Sequence, residues 1–300
     1  MKEQKKEESF SFDPMVVGAM RLGQWGAKFT TQQYISFIEG CLQLGLSDFD
    51  HADIYGHYTT EEEFGLAIKQ VPSLREEINL ITKCGIKMQS ANRPDHHIKS
   101  YDLSAEHIIA SVERSLKNFH TDRLDILLLH RPDVLMDPYE IAETFDRLKS
   151  DGKVLYFGVS NFTKEQFQSI HDLFPLITNQ VEISVLRLEK FLDGTLQQCM
   201  DYQIQPMGWS PLGGGKLFGA TDDLRIQSIQ KQLAELAEKY NCHLDQLLYA
   251  FVMKHPAGIV PVLGTTQIDR IKRAVEALSI DISKEDWYQI WTAAIGKEIA

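Results

Sequence analysis

Asp50, Tyr55, Lys83 and His130 are the side chains whose types and placement suit proton delivery. In Phe49-Asp50-His51-Ala52-Asp53-Ile54-Tyr55-Gly56 a carboxylate and a phenol share one short piece of chain, where an apolar run over 46–49 gives way to a helix starting near Glu61. Ile78-Asn79-Leu80-Ile81-Thr82 ends in Lys83, and Leu124-Asp125-Ile126-Leu127-Leu128-Leu129 ends in His130. A phenol with an ordinary pKa near ~10 is a poor acid at neutral pH, so a reacting tyrosine needs a cation beside it. Lys83 is expected to lower the pKa of Tyr55, while Asp50 keeps Lys83 charged and oriented. Tyr55 can then protonate a carbonyl oxygen, and His130 can hydrogen-bond the same oxygen and fix it for attack. Singly, such residues are usually solvated loop groups. On adjacent parallel strands their ends share one face, and the four can converge.

The elements that must position them follow a regular rhythm. Apolar runs at 15–20, 46–49, 78–82, 124–129, 154–159, 177–181, 204–208 and 258–263 read as strands. Between them lie segments of helical period, such as 31–44 with Tyr34, Ile35, Ile38 and Leu42 on one side, capped by Thr30 or Thr31. Helices are also expected at 60–70, 104–119, 138–149, 164–173, 191–202, 226–240, 244–254, 268–278 and 284–292. Alternation of this kind means a parallel sheet, and eight units in a chain of 300 residues favour a closed (β/α)8 TIM barrel over an open doubly wound sheet. Gly18-Ala-Met-Arg-Leu-Gly does not match the dinucleotide-binding glycine pattern, nor does Gly213-Gly214-Gly215-Lys216 match a P-loop. One domain over 14–300 is expected, behind a charged tail over 1–13. The long polar stretch 85–102 leaves the same strand end as Lys83 and reads as a wall or lid of the pocket, with Trp25 and 131–136 as further lining.

A net charge of −11 and a pI near 5.4 disfavour nucleic-acid or anionic-membrane partners. Cys41, Cys84, Cys199 and Cys242 are too scattered for a disulfide frame or zinc site. His51, His57, His96 and His97 lack a metal-ligand spacing and read as surface histidines, so no metal is expected. Met1 to Ser9 has no apolar stretch of the kind a signal peptide carries, and no run approaches the ~18 residues of a membrane span. A cytoplasmic enzyme fits these features.

An acid supplies no hydride, so carbonyl reduction at this site calls for a nicotinamide cofactor. Ser160, Asn161 and Gln180, at neighbouring strand ends, carry the hydroxyl and amide groups that suit a carboxamide. Trp209 can stack on a nicotinamide ring, although packing at the barrel top explains it equally well. Ser210-Pro211-Leu212-Gly213-Gly214-Gly215-Lys216 can fold over a pyrophosphate, which makes Ser210, Leu212, Gly214 and Lys216 candidates. Gly264, Thr265 and Thr266 precede a helix whose amino terminus is a ready phosphate site. Arg270 lies in its first turn and is assigned the 2′-phosphate, whereas Arg273 is read as a solvent-facing charge.

With these residues in hand, the chain from about Met15 to its end resembles the aldo-keto reductases. Asp50-x4-Tyr55-Gly56, Thr82-Lys83, Leu129-His130-Arg131-Pro132, Gly158-Val159-Ser160-Asn161-Phe162, Asn179-Gln180, Trp209-Ser210-Pro211-Leu212 and Gly264-Thr265 match that family in order. The wording of the His130 and Trp209 segments is similar to a bacterial branch of oxidoreductases. The resemblance implies an NADP(H) cofactor and a tetrad of Asp50, Tyr55, Lys83 and His130. It also implies that Ser160, Asn161 and Gln180 hold the carboxamide while Trp209 stacks under the ring. Where many members carry a Lys-Ser or Arg-bearing segment for the 2′-phosphate, this chain has Leu263-Gly264-Thr265-Thr266-Gln267. The expected activity is NADPH-dependent reduction of small aldehydes or ketones. The alternatives are a cofactor-sensing regulatory subunit, like the family's potassium-channel β subunits, and an aldolase or hydrolase, with Lys83 as a Schiff base in the first.

Overall fold

The computed structural model describes residues 10–299; the charged run over 1–9 lies outside them. Eight parallel strands close into a barrel: β1 (Val16–Gly18), β2 (Asp48–Asp50), β3 (Asn79–Cys84), β4 (Leu124–Leu129), β5 (Val154–Ser160), β6 (Asn179–Glu182), β7 (Met207–Trp209) and β8 (Val260–Leu263). Each strand pairs with its neighbours in chain order and β1 pairs with β8, with helices on the outside: a (β/α)8 TIM barrel. Apolar side chains facing inward, among them Ile81, Ile126, Leu128, Met207 and Val262, fill the interior. Closure leaves these strands no exposed edge, and their buried faces explain the near-continuous apolar runs in the sequence.

Within the expected tail, residues 10–13 are docked on the barrel. Phe12 is buried with the interior side chains, and Phe10 meets Phe12 and Tyr156 edge-on. The Asp13 carboxylate accepts from the Ser47 hydroxyl at 3.0 Å and the Asp48 backbone N–H at 3.1 Å, tying this segment to the start of β2.

Strand register aligns the carboxyl ends on one rim. Gly18 pairs with Asp50, Lys83 with Leu128, Ser160 with Gln180, and Glu182 with Trp209. The expected elements shift mainly at their ends. The sixth and seventh strands sit one to three residues later than the apolar runs suggest, so Trp209 as well as Gln180 belongs to a strand. The helix expected over 191–202 is broken: a 3₁₀ turn, Glu189–Phe191, precedes Thr195–Asp201, with Gly194 at φ 86° between them. Stretch 85–102 carries an antiparallel ribbon that pairs Ile86–Lys87 with Ser100–Tyr101. Among the described residues, no helix is long and apolar enough to cross a membrane.

The strand bearing Lys83 is anchored from outside. Helix Thr60–Gln70 lies so close to helix Ala105–Phe119 that a Cβ on Gly65 would collide with the Asn118 carbonyl. That approach brings Glu61, buried between them, within reach of both helices and of β3. Its carboxylate accepts from Thr82 Oγ1 at 2.7 Å, Ser115 Oγ at 2.8 Å and Asn118 Nδ2 at 3.1 Å. Burial raises its pKa, while these donors act in the opposite direction. Glu61→Ala is expected to leave the buried donors unpaired and lower stability by about 3 kcal/mol or more, measured by urea denaturation; a loss below about 1 kcal/mol contradicts the anchoring role.

Candidate active site

Lys83 is the hub of the rim. Its side chain is 1% exposed, and its ammonium donates to Asp50 Oδ1 and Oδ2, both at 2.7 Å, to the His51 carbonyl at 2.8 Å, and to the Tyr55 hydroxyl at 3.3 Å. Burial pulls the lysine pKa down, but the Asp50 carboxylate and Tyr55 outweigh it and the net shift is upward. The ammonium therefore stays charged at neutral pH.

Tyr55 departs from the expected direction. Burial, its largest influence, raises the phenol pKa; Lys83 lowers it, Asp50 raises it, and the net shift is upward. Lys83 opposes the desolvation of a phenolate without overcoming it, so the free protein holds Tyr55 as a protonated donor. The Tyr55 and His130 rings meet edge-on with centroids 6.1 Å apart. Burial first, then the positive charges of Lys83 and Arg131, push the His130 pKa well below the usual imidazole value. The imidazole is neutral, and its buried Nδ1 has no hydrogen-bond partner.

The amide-bearing residues form a chain of their own. Ser160 Oγ donates to the Gln180 carbonyl at 2.9 Å, Asn161 Nδ2 donates to Ser160 Oγ at 2.7 Å, and Trp209 Nε1 donates to Asn161 Oδ1 at 3.0 Å. Gln180 Nε2 donates to Asp50 Oδ1 at 2.9 Å, so this side chain, expected to hold a carboxamide, also holds the Asp50 carboxylate. Its Oε1 retains acceptor capacity. Asn161 and Ser210 sit at φ 63° and 54°, left-handed conformations that turn the chain sharply at the rim.

A cavity of about 920 Å³ joins these groups. Tyr55, His130 and Trp209 line one part of it; Gly264, Thr265, Arg270 and Arg273 line another. Ser160, Asn161, Gln180, Ser210, Leu212 and Gly214 also face it. Lys216 and Thr266 do not: Lys216 follows the 3₁₀ turn Gly213–Gly215 and is exposed. Arg273 is not a free solvent-facing charge, since its guanidinium donates to Asp245 Oδ2 from Nη2 at 3.0 Å and from Nε at 3.3 Å. Arg270 is exposed and lacks an ion-pair partner among the described residues. Ile86 and Tyr101 place stretch 85–102 in the cavity wall, and Trp25 and Arg131 line it too. Val134 and Leu135 instead point outward, 93% and 88% exposed.

Residues 14–295 match the model of the Aldo/keto reductase family. The chain belongs to that family. It is 44% identical to oxidoreductase YcsN of Bacillus subtilis, covering 97% of each chain. It is 38% identical to a 6-dehydroglucose reductase of Agrobacterium fabrum, covering 95% of each. A solved aldo/keto reductase from Klebsiella pneumoniae, in complex with NADP and acetate, superposes with a TM-score of 0.75 at 25% identity, over 93% of this chain and 90% of that one.

Several residues around this site escaped the reading of sequence. Glu61 had a signal, a carboxylate on the same helical stripe as Phe64 and Ile68. His51, read as a surface histidine, is fully buried, edge-on to Phe64 and Phe119 with neither nitrogen bonded; burial, then Lys83, lowers its pKa to about 3. Alternation places it on the outer face of the strand end opposite Asp50, in the layer between barrel and helices. The Arg273–Asp245 pair spans distant parts of the chain and left no local pattern.

Proposed function

We propose that this chain reduces aldehyde or ketone carbonyls to alcohols with NADPH as the hydride source. The observation that carries the reading is a protonated phenol facing the cavity, backed by a buried ammonium at 3.3 Å and flanked by a neutral imidazole. Tyr55 gives its proton to the carbonyl oxygen. Lys83 stabilises the phenolate left behind until solvent returns the proton. His130 donates a hydrogen bond to the same oxygen and adds no competing charge. Asp50 and Gln180 act through Lys83 by holding it in place.

The cavity suits a dinucleotide. A Cβ on Gly214, Gly215 or Gly264 would meet open space, so their backbone admits a bulky ligand at close range. Ser160, Asn161 and the Gln180 Oε1 would hold the carboxamide, Trp209 would stack on the ring, and Ser210 and Leu212 would flank the phosphates. When bound, the cofactor supplies the hydride. The NADP complex of the Klebsiella relative and the name of the Agrobacterium reductase support this direction. Schiff-base chemistry is disfavoured because a charged Lys83 has no lone pair to attack with. A cytoplasmic location suits four cysteines held as free thiols.

Tyr55→Phe is expected to lower reduction by at least ~10²-fold with the NADPH dissociation constant little changed. In the wild type, kcat/KM for reduction should be flat from about pH 6 to about pH 10 and fall only above the ordinary phenol value of ~10, as the raised phenol pKa and the neutral His130 require. A mutant turning over at the wild-type rate excludes Tyr55 as the acid.

Arg270 lines the cavity beside the Gly264-Thr265 turn with no ion-pair partner among the described residues, whereas Arg273 is already paired with Asp245. Arg270→Ala is expected to weaken NADPH about ten- to a hundredfold while NADH binds almost as before, since one charge-assisted contact is worth ~1.5–3 kcal/mol. Equal losses for both cofactors in fluorescence titrations exclude Arg270 as the 2′-phosphate ligand.

A further inference from the structure

We propose that Arg131 and Lys99 form an anion subsite at the reacting end of the cavity, so that the carbonyl compound reduced here carries a carboxylate or phosphate group. The proposal rests on the reading of this site as a carbonyl reductase.

The charge of the cavity is opposite to that of the chain. The whole sequence carries −11, yet among the described residues the only carboxylates lining the cavity are Asp50 and Asp245. Both are already taken, Asp50 by Lys83 and Asp245 by Arg273. Arg21, Lys99, Arg131 and Arg270 line the same space without an ion-pair partner among the described residues. Arg270 lies beside Gly264 and Thr265, at the end assigned to the cofactor phosphate. Arg131 and Lys99 lie elsewhere.

Arg131 directly follows His130, and its guanidinium stands 5.8 Å from the centre of the Trp209 ring. Lys99 leads into the ribbon strand Ser100–Tyr101, and Tyr101 and Ile86 of that ribbon wall the cavity. Both cations contribute to holding His130 neutral, and Arg131 also bears on Tyr55, so both act at the reacting groups. Nearby carboxylates are committed elsewhere: Asp133 accepts from the Leu135 N–H, and Asp102 faces Ser104, Lys87 and His107. Two uncompensated cations beside a proton donor in a partly enclosed cavity attract an oxyanion, and a guanidinium can bind one through paired N–H bonds. An anionic group held there would orient the attached carbonyl toward Tyr55 and His130.

A purely electrostatic role, in which these cations only keep His130 neutral, would affect every substrate alike. The test therefore compares charged and neutral partners of the same shape. Isothermal titration of the NADPH-loaded protein with benzoate, phenyl phosphate and benzamide is expected to show at least one anion binding about tenfold or more tighter than the amide. The better anion identifies the favoured group. Arg131→Met and Lys99→Met should each cut that advantage several-fold while benzamide binds as before. With 4-carboxybenzaldehyde against 4-methylbenzaldehyde, the advantage should lie in KM. Equal binding of anions and amide by the wild type, or an advantage that survives both substitutions, overturns the subsite. Turnover of the neutral aldehyde without any anion preference sinks the subsite and leaves carbonyl reduction standing. Anion binding that depends on Arg131 and Lys99, without turnover of any aldehyde, upholds the subsite and sinks the reductase reading.

Discussion

An ammonium held charged where water barely reaches it is the constraint on which the site depends. Lys83 has one strong reason to lose its proton, burial, and two that together outweigh it, the Asp50 carboxylate with both oxygens at 2.7 Å and the Tyr55 oxygen. Neither Asp50 nor Lys83 is tolerable alone in such a place, because an unpaired buried charge costs several kcal/mol. The pair is stable only with its remaining valences filled, and the His51 carbonyl, Tyr55 hydroxyl and Gln180 amide fill them. Those partners come from the loop after β2 and from β6, so the charge is set by barrel closure rather than by any one segment.

The electrostatics divide the labour among neighbouring residues. One cation pushes on two groups with opposite consequences: it moderates the cost of a Tyr55 phenolate and disfavours a proton on His130. Burial then decides the resting state, with the phenol protonated and the imidazole neutral. Both groups are thus poised as hydrogen-bond donors to an incoming oxygen, with no net charge added to the cavity beyond its unpaired arginines and lysine.

The barrel was legible because buried parallel strands write themselves as apolar runs, as 124–129 does, and the helices between them keep a 3.6-residue stripe. Asp50, Tyr55, Lys83 and His130 were legible because each stands where such a run ends. The direction of the Tyr55 shift was not, since it depends on how much water the fold removes from the phenol, a quantity absent from local sequence. Gln180 shows the same limit: its position on the rim could be read, but its bond to Asp50, 130 residues away, arises only when the sheet closes. Arg273 and His51 were misread for a related reason. An arginine near a helix start and a histidine after a strand look solvated until Asp245 or the Phe64–Phe119 pair is brought against them.

The charge on Lys83 can be observed directly. Titration of the Lys83 side-chain resonance by NMR in lysine-labelled protein, assigned by its loss in Lys83→Arg, reads its protonation without reference to any substrate. The ammonium is expected to persist beyond the ordinary lysine value of ~10.4. A Lys83 that releases its proton below about pH 8 would mean that burial outweighs Asp50, and the account of the site built on that charge would be wrong.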